Sequence, residues 1–256
     1  MPRFHHAIAI ALVAVVALAG CDSPAEEQAD ESLSDNPVAD DQPGDDDAHD
    51  QAAPLELDGE VRESALTDPN EVTDRAPDEY RVEFQTTAGT IVIDVYRDWS
   101  PHGADRLFNL VRIGFFEDVA FFRVIDDFMA QFGLHGDPEV NQAWVRATIP
   151  DDDVIRSNER GKLTFATSGP DSRSTQLFIN LNDNSRLDQM GFSPVGEVVE
   201  GMEVAEALYS GYGESAPEGQ GPMQDRLRRQ GNAYLRDDFE NLDYITQAAV
   251  VDSSEH

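Results

Sequence analysis

Lysine and cysteine are almost absent from the sequence: Lys162 and Cys21 are the single examples among 256 residues. One cysteine excludes an intramolecular disulfide, so any fold must be held by packing and hydrogen bonds. Basic side chains are scarce as a class. The 18 Lys plus Arg face 51 Asp plus Glu, a formal net charge of −33. That balance argues against nucleic acid as a partner, because phosphate binding needs clustered bases. An acidic, lysine-poor surface suits a protein kept soluble in high salt, where screening weakens self-repulsion. A genome that favours arginine codons accounts for the missing lysines equally well.

No apolar run is long enough to cross a bilayer. The longest, Ala7 to Ala19, covers 13 residues, short for a membrane span but suited to the apolar part of a secretory signal behind the positive Arg3. It ends in Leu18-Ala19-Gly20-Cys21, which resembles the lipobox of bacterial lipoproteins. The resemblance implies cleavage before Cys21 and acylation of that residue, giving a stable membrane anchor. An ordinary signal with a chance cysteine is the alternative. The expectation is an exported protein, lipid-anchored to a bacterial membrane through Cys21 and facing the periplasm.

Residues 22–79 carry 21 acids against two arginines and almost no aromatics. Such a segment buries too little apolar area to offset its chain entropy. The chain is therefore expected to divide into a signal peptide (1–20), a disordered acidic tether (21–79) and a globular domain (80–252). Asp46, Asp47, His49 and Asp50 show no ordered ligand spacing, and neither a metal nor a cofactor is expected.

Alternation of apolar and polar residues at 82–85 and 91–96, with a turn at Thr87-Ala88-Gly89-Thr90, predicts a hairpin. Ser100 then Pro101 read as the start of a helix with Ala104, Leu107, Phe108 and Val111 on one face, stopped at Gly114. Short strands are expected near 119–125, 128–132, 162–167, 176–181 and 194–199, and a second helix over 203–209. Many short strands with two helices suggest a closed antiparallel barrel. A further helix from Met223 to about Glu240, weakened by Gly231, and a strand over 243–251 complete the chain.

Three blocks stand out: FFRVIDDFMAQFG (121–133), LTFATSGPDSRSTQLFINL (163–181) and LDQMGFSPVGEVVEGMEVAEAL (187–208). Their order and spacing resemble the cyclophilin family of peptidyl-prolyl cis–trans isomerases, over roughly residues 80–209. The resemblance implies a mainly β fold, a closed eight-stranded antiparallel barrel capped by two helices. Residues 210–241 are then a helical insertion before the last strand, expected to pack on the barrel.

The residue types suit that chemistry on their own terms. Rotating an X–Pro bond breaks amide resonance against a barrier of about 20 kcal/mol, and the twisted proline nitrogen gains basicity. A fixed donor aimed at that nitrogen binds the transition state better than either planar state. Arg123 offers a rigid donor fork that stays charged. Gln131 can bond the substrate carbonyl, and Phe128, Met129, Phe178 and Leu187 can grip the proline ring. Taken alone, each residue has a plainer role, as core, as a strand-edge ion pair or as a partner of the backbone; the combination favours a site. By resemblance, Arg123 and Gln131 are catalytic, and Phe128, Met129, Ala166, Thr167, Gln176, Phe178, Leu187 and Phe192 bind substrate. The expected partners are proline-containing segments of exported proteins, met by a monomer.

Four positions depart from the family's best-known members. Phe122 stands where His usually precedes the arginine, Thr167 at a usual Asn, and Phe192 where His or Tyr is frequent. Arg186 replaces the Trp that binds cyclosporin in sensitive eukaryotic members. None removes the donor. A proline-binding holdase or scaffold using the same groove is the alternative function, but it has no need of Arg123.

Overall fold

The computed structural model describes residues 64–251. The signal peptide, Cys21 and most of the tether lie outside the described residues. Nine strands form one antiparallel sheet: β1 (Glu79–Thr86), β2 (Gly89–Tyr96), β3 (Val119–Ala120), β4 (Arg123–Ile125), β5 (Met129–Phe132), β6 (Lys162–Phe165), β7 (Leu177–Asn180), β8 (Pro194–Glu200) and β9 (Tyr244–Val251). Their order is β3-β9-β1-β2-β8-β6-β7-β5-β4. Among the described residues the longer α-helices are α1 (Pro101–Arg112), α2 (Pro138–Trp144), α3 (Met202–Ala207) and α4 (Gln224–Asp238).

The count corrects the expected closed eight-stranded barrel. A single strand was expected over 119–125, but it is broken into β3 and β4 by Phe121 and Phe122. These two short strands are the opposite edges of the curled sheet, and neither pairs with the other. The break is anchored on one side, where the Phe121 N–H donates to the Asp243 carbonyl at 2.9 Å.

Strand periodicity decides what goes inside. In β5, Ala130 and Phe132 point into the core while Met129 and Gln131 point to the other face, and Met129 joins a separate cluster. The core is aromatic at its centre: the Phe132 ring meets Phe84 at 5.6 Å, Phe116 at 5.8 Å and Phe121 at 5.1 Å. Helix α1 covers one end, burying Ala104, Leu107, Leu110 and Val111.

Ser100 is the α1 N-cap by position, but its hydroxyl does not cap the helix. The Asp152 carboxylate does so instead, accepting from the N–H groups of His102 at 3.1 Å and Gly103 at 3.0 Å, and from the Ser100 hydroxyl at 2.5 Å. Arg173, 1% exposed, donates to the same carboxylate at 2.9 Å. Burial pushes the Asp152 carboxyl up, but the Ser100, Gly103 and His102 hydrogen bonds and Arg173 outweigh it and hold the group below the usual carboxylate range.

The packed body starts earlier than the expected boundary at Tyr80. A helical turn over 64–67 buries Ala65, and Leu66 accepts a hydrogen bond from the Trp144 indole at 2.8 Å. Downstream, Asn109 donates to the Asp74 carbonyl at 2.7 Å and Asp105 accepts from the Ala76 N–H at 2.9 Å. The segment is attached through backbone groups, the buried Ala65 and Ala76 and the partly buried Leu66 and Val72, apolar residues so few among its acids that its composition reads as tether.

Helix α2 was not anticipated. It is a short helix capped by the Asp137 carboxylate, which accepts from the Glu139 N–H at 2.8 Å, with Pro138 in its first turn. Helix α4 buries Leu227, Tyr234 and Leu235 against Ala120, Phe122, Leu134 and Leu242. Its weak point at Gly231 is a kink, with φ 58° and ψ −152°. A Cβ there would lie 1.9 Å from the Gly136 carbonyl oxygen, so only glycine permits that approach. Among the described residues, no helix is long and apolar enough to cross a membrane.

Candidate active site

The ladder itself assembles the site. Arg123 on β4 is the register partner of Gln131 on β5, and Gln131 is the partner of Phe178 on β7. Opposed residues on neighbouring strands share a face, so these three stand in one cross-strand row. One pleat along the row, Met129 lies on the same face.

Beside the row is a small apolar cluster separate from the core. Met129, Phe178 and Leu187 are its buried members, and Ile125, Phe128, Ala166 and Phe192 pack against them half-exposed. The Phe178 and Phe192 rings meet edge to face at 5.8 Å. An apolar surface that is only partly covered, bordered by polar groups, is suited to grip a ring from outside.

The polar border is a chain of hydrogen bonds. Arg123 Nη1 donates to Gln131 Oε1 at 2.9 Å, and Gln131 Nε2 donates to Gln176 Oε1 at 3.0 Å. Gln176 in turn accepts the Ala166 N–H through its backbone carbonyl at 2.9 Å. The guanidinium carbon of Arg123 lies 5.9 Å from the Phe128 ring centre. On the outer side, Arg186 lies 4.9 Å over the same ring. Thr167 follows Ala166 at the rim; its hydroxyl donates within its own turn, to the Gly169 carbonyl at 2.6 Å.

The structure thus brings together Arg123, Phe128, Met129, Gln131, Ala166, Gln176, Phe178, Leu187 and Phe192. Phe122, on the opposite face from Arg123, is buried under α4 with Leu227 and Leu235. An apolar residue suits a position that this helix covers.

Two sets of residues were missed. The first holds the turn over Ser185–Met190 that carries Leu187. Asp188 accepts from the Ser157 hydroxyl at 2.6 Å and from the Asn158 backbone and side-chain amides at 2.9 and 2.8 Å. Burial raises the Asp188 carboxyl, but the Ser157 and Asn158 bonds prevail and hold it below the usual range. Asn184 donates to the Phe128 carbonyl at 2.8 Å, tying the Leu187 turn to the β4–β5 turn. The motif after Asn180 carried a signal for this, since Asn and Asp cluster where turns need side-chain acceptors.

The second is Glu214. Its carboxylate meets Arg123 in a two-pronged pair, Nε to Oε1 at 2.5 Å and Nη2 to Oε2 at 2.6 Å. Nothing local in the sequence points to it, for the contact spans 91 residues.

A model of the family described as "Cyclophilin type peptidyl-prolyl cis-trans isomerase/CLD" matches residues 81–228. Over 132 residues the chain is 33% identical to a peptidyl-prolyl cis-trans isomerase of Acinetobacter baylyi, covering 50% of this chain and 70% of that protein. Over 136 residues it is 35% identical to peptidyl-prolyl cis-trans isomerase B of Escherichia coli, covering 50% and 82%. Among solved structures, cyclophilin AquaCyp293 from Hirschia baltica superposes with a TM-score of 0.51 at 16% identity, covering 78% of this chain and 83% of that one. That last likeness concerns the fold alone.

Proposed function

Because the chain belongs to the cyclophilin-type peptidyl-prolyl cis–trans isomerase family and is an isomerase of that type, we propose that Arg123 is its donor to the twisted proline nitrogen and that exported polypeptides are its substrates. The observation that carries the first part is the row Arg123–Gln131–Phe178 beside the apolar cluster. A proline ring seated on Phe128, Met129, Phe178 and Leu187 brings its nitrogen within reach of the guanidinium.

The steps follow from that placement. The apolar cluster holds the ring while the preceding residue rotates. Gln131 has one amide hydrogen committed to Gln176 and a second left to donate to a substrate carbonyl. As resonance is lost, the proline nitrogen becomes an acceptor that exists only near the twisted state. An arginine hydrogen bond to it therefore lowers the barrier without tightening ground-state binding. Bond rotation makes and breaks no covalent bond.

The lipoprotein form is the second part of the proposal, and Leu18-Ala19-Gly20-Cys21 after a 13-residue apolar run supports it. A lipid on Cys21 would hold the domain at a bacterial membrane facing the periplasm, working as a monomer on proline-containing segments passing by. Residues 210–241 are read as an addition to the family fold placed before β9.

Isomerisation of a proline peptide by the full chain tests the enzymatic reading. Faster cis-to-trans exchange than in buffer is expected, whereas peptide binding without acceleration would leave only a holdase. For the anchor, mass spectrometry of the mature N-terminus should find acylated Cys21. An unmodified terminus at another residue would refute the lipoprotein form.

A further inference from the structure

We propose that Glu214 is a positioning residue for the isomerase reaction, locking the Arg123 guanidinium in the orientation from which it donates to the substrate. The inference rests on Arg123 being the donor.

The geometry points to support rather than obstruction. A guanidinium has five N–H groups. Glu214 takes one on Nε and one on Nη2, along one edge of the fork, and Gln131 takes one on Nη1. One hydrogen on each of Nη1 and Nη2 is left, the former near only the weak acceptor Met129 Sδ at 3.9 Å. The side edge is therefore occupied while donors remain at the end of the fork. A carboxylate in a two-pronged pair fixes the plane of the guanidinium as well as its position. An unpinned arginine would lose that rotamer freedom only when substrate arrives, at the expense of the rate.

Glu214 can serve this way because its own loop is held. Its carboxylate accepts the Ser215 N–H at 2.8 Å, and its carbonyl accepts the Gly221 N–H at 2.8 Å. Before it, Gly213 adopts φ +61°, and the Gly213 N–H donates to the Ser210 carbonyl at 3.0 Å. The loop is fastened to the chain beyond it by aromatic rings: Tyr209 meets Tyr212 at 5.0 Å, and Tyr212 meets Phe239 at 5.0 Å. At its far end, the Met223 N–H donates to the Tyr234 hydroxyl at 3.1 Å. Moving the loop as a whole away from Arg123 would have to break several of these contacts, and the carboxylate itself is held by the Ser215 N–H. Helix α4 and its loop thus gain a purpose in the reaction, carrying a carboxylate to the open side of the catalytic arginine.

The test separates kcat from KM for a proline peptide, using the full chain and the variants Glu214→Ala, Glu214→Gln and Arg123→Ala. Glu214→Ala is expected to lower kcat on the order of tenfold or more with KM little changed, since misplacement of a catalytic group acts on the transition state. Glu214→Gln, which keeps an accepting oxygen, should recover part of the loss. In an Arg123→Ala background Glu214→Ala should add nothing, a coupling that general loosening of the loop would not produce. Unchanged or raised kcat in Glu214→Ala, or the same fold loss in both backgrounds, would overturn the proposal while leaving the isomerase intact. A wild type no faster than buffer would overturn both.

Discussion

Arg123 and Arg173 each donate to an aspartate or glutamate brought from a distant loop, yet the proposed function gives them opposite work. The Arg173 side chain is 2% exposed, and its Asp152 partner is 4% exposed. Arg173 also donates to the Ser100 hydroxyl at 3.2 Å and to the Pro150 carbonyl. Arg123 is 21% exposed and its Glu214 partner 37%, with donors unspent beside an apolar surface. An ion pair by itself therefore does not distinguish a structural arginine from a reactive one. What distinguishes them is whether a substrate can reach the N–H groups that remain: Arg173 Nε has no hydrogen-bond partner but is buried, whereas the unspent donors of Arg123 lie beside a partly exposed apolar cluster.

The sharpest way to break this comparison is at the buried pair. Asp152→Ala removes the helix cap and leaves the buried Arg173 charge with only Asp151, 3.6 Å from its Nε. Breaking such a pair costs about 3–5 kcal/mol. Denaturant unfolding should show that loss, and a change below about 1 kcal/mol would mean that water or Asp151 compensates.

Arg123→Ala is expected to cost about 2–4 kcal/mol of barrier lowering, as for other lost transition-state donors. Its melting temperature should move far less than that of Asp152→Ala, because a partly exposed pair contributes little to stability.

Arg186 extends the comparison to a third arginine, stacked over Phe128 and, among the described residues, without a carboxylate partner. Covering a guanidinium with a large apolar ligand desolvates it, so cyclosporin should bind weakly. Arg186→Trp should tighten it about tenfold, or about 1.4 kcal/mol. Nanomolar inhibition of the unaltered protein would show that this position does not govern the drug.

Acid separates two partly buried groups. Burial lowers the His135 pKa from its ordinary 6.5, only partly offset by Asp137 and Asp118, and its Nδ1 accepts the Asp137 N–H at 2.9 Å. The unfolded chain then binds the extra proton first. The His135 contribution is full above about pH 6.5 and lost as pH falls through its lower folded value. Asp152 acts in a lower window, its contribution present above about 3.8 and lost as pH falls through its own depressed value. His135→Gln should remove the upper limb of the stability curve and leave the lower one. An unchanged curve would mean that His135 is protonated without cost.

What could be read from the sequence was what is local. Block 121–133 holds both strands of a hairpin, so alternation alone puts Met129 and Gln131 on the face opposite Ala130 and Phe132. Pairing of Arg123 with Gln131 follows from a three-residue turn. The family resemblance added Phe178 and Leu187 from other blocks. Contacts made by a single side chain across long separations left no pattern. Glu214 looks like one more acid in an acidic chain. Ala65 and Ala76 lie in a stretch whose charges read as tether although its backbone is bound to α1. Strand 119–125 looked continuous because Phe121 and Phe122 are apolar. The break falls where the chain passes from one sheet edge to the other, with Phe121 in the core and Phe122 in the α4 cluster.

The central claim is that the unspent donors of Arg123, and not the charge of a paired arginine, drive isomerisation. The direct test measures rate and melting temperature together for wild type, Arg123→Ala and Arg123→Lys. Lysine keeps the charge but has no planar fork to be held by Glu214 while still presenting N–H groups to substrate. The account predicts that both variants stay folded near the wild-type melting temperature and that lysine restores less than a tenth of the lost rate. Full activity in Arg123→Lys would contradict it, for charge alone would then suffice.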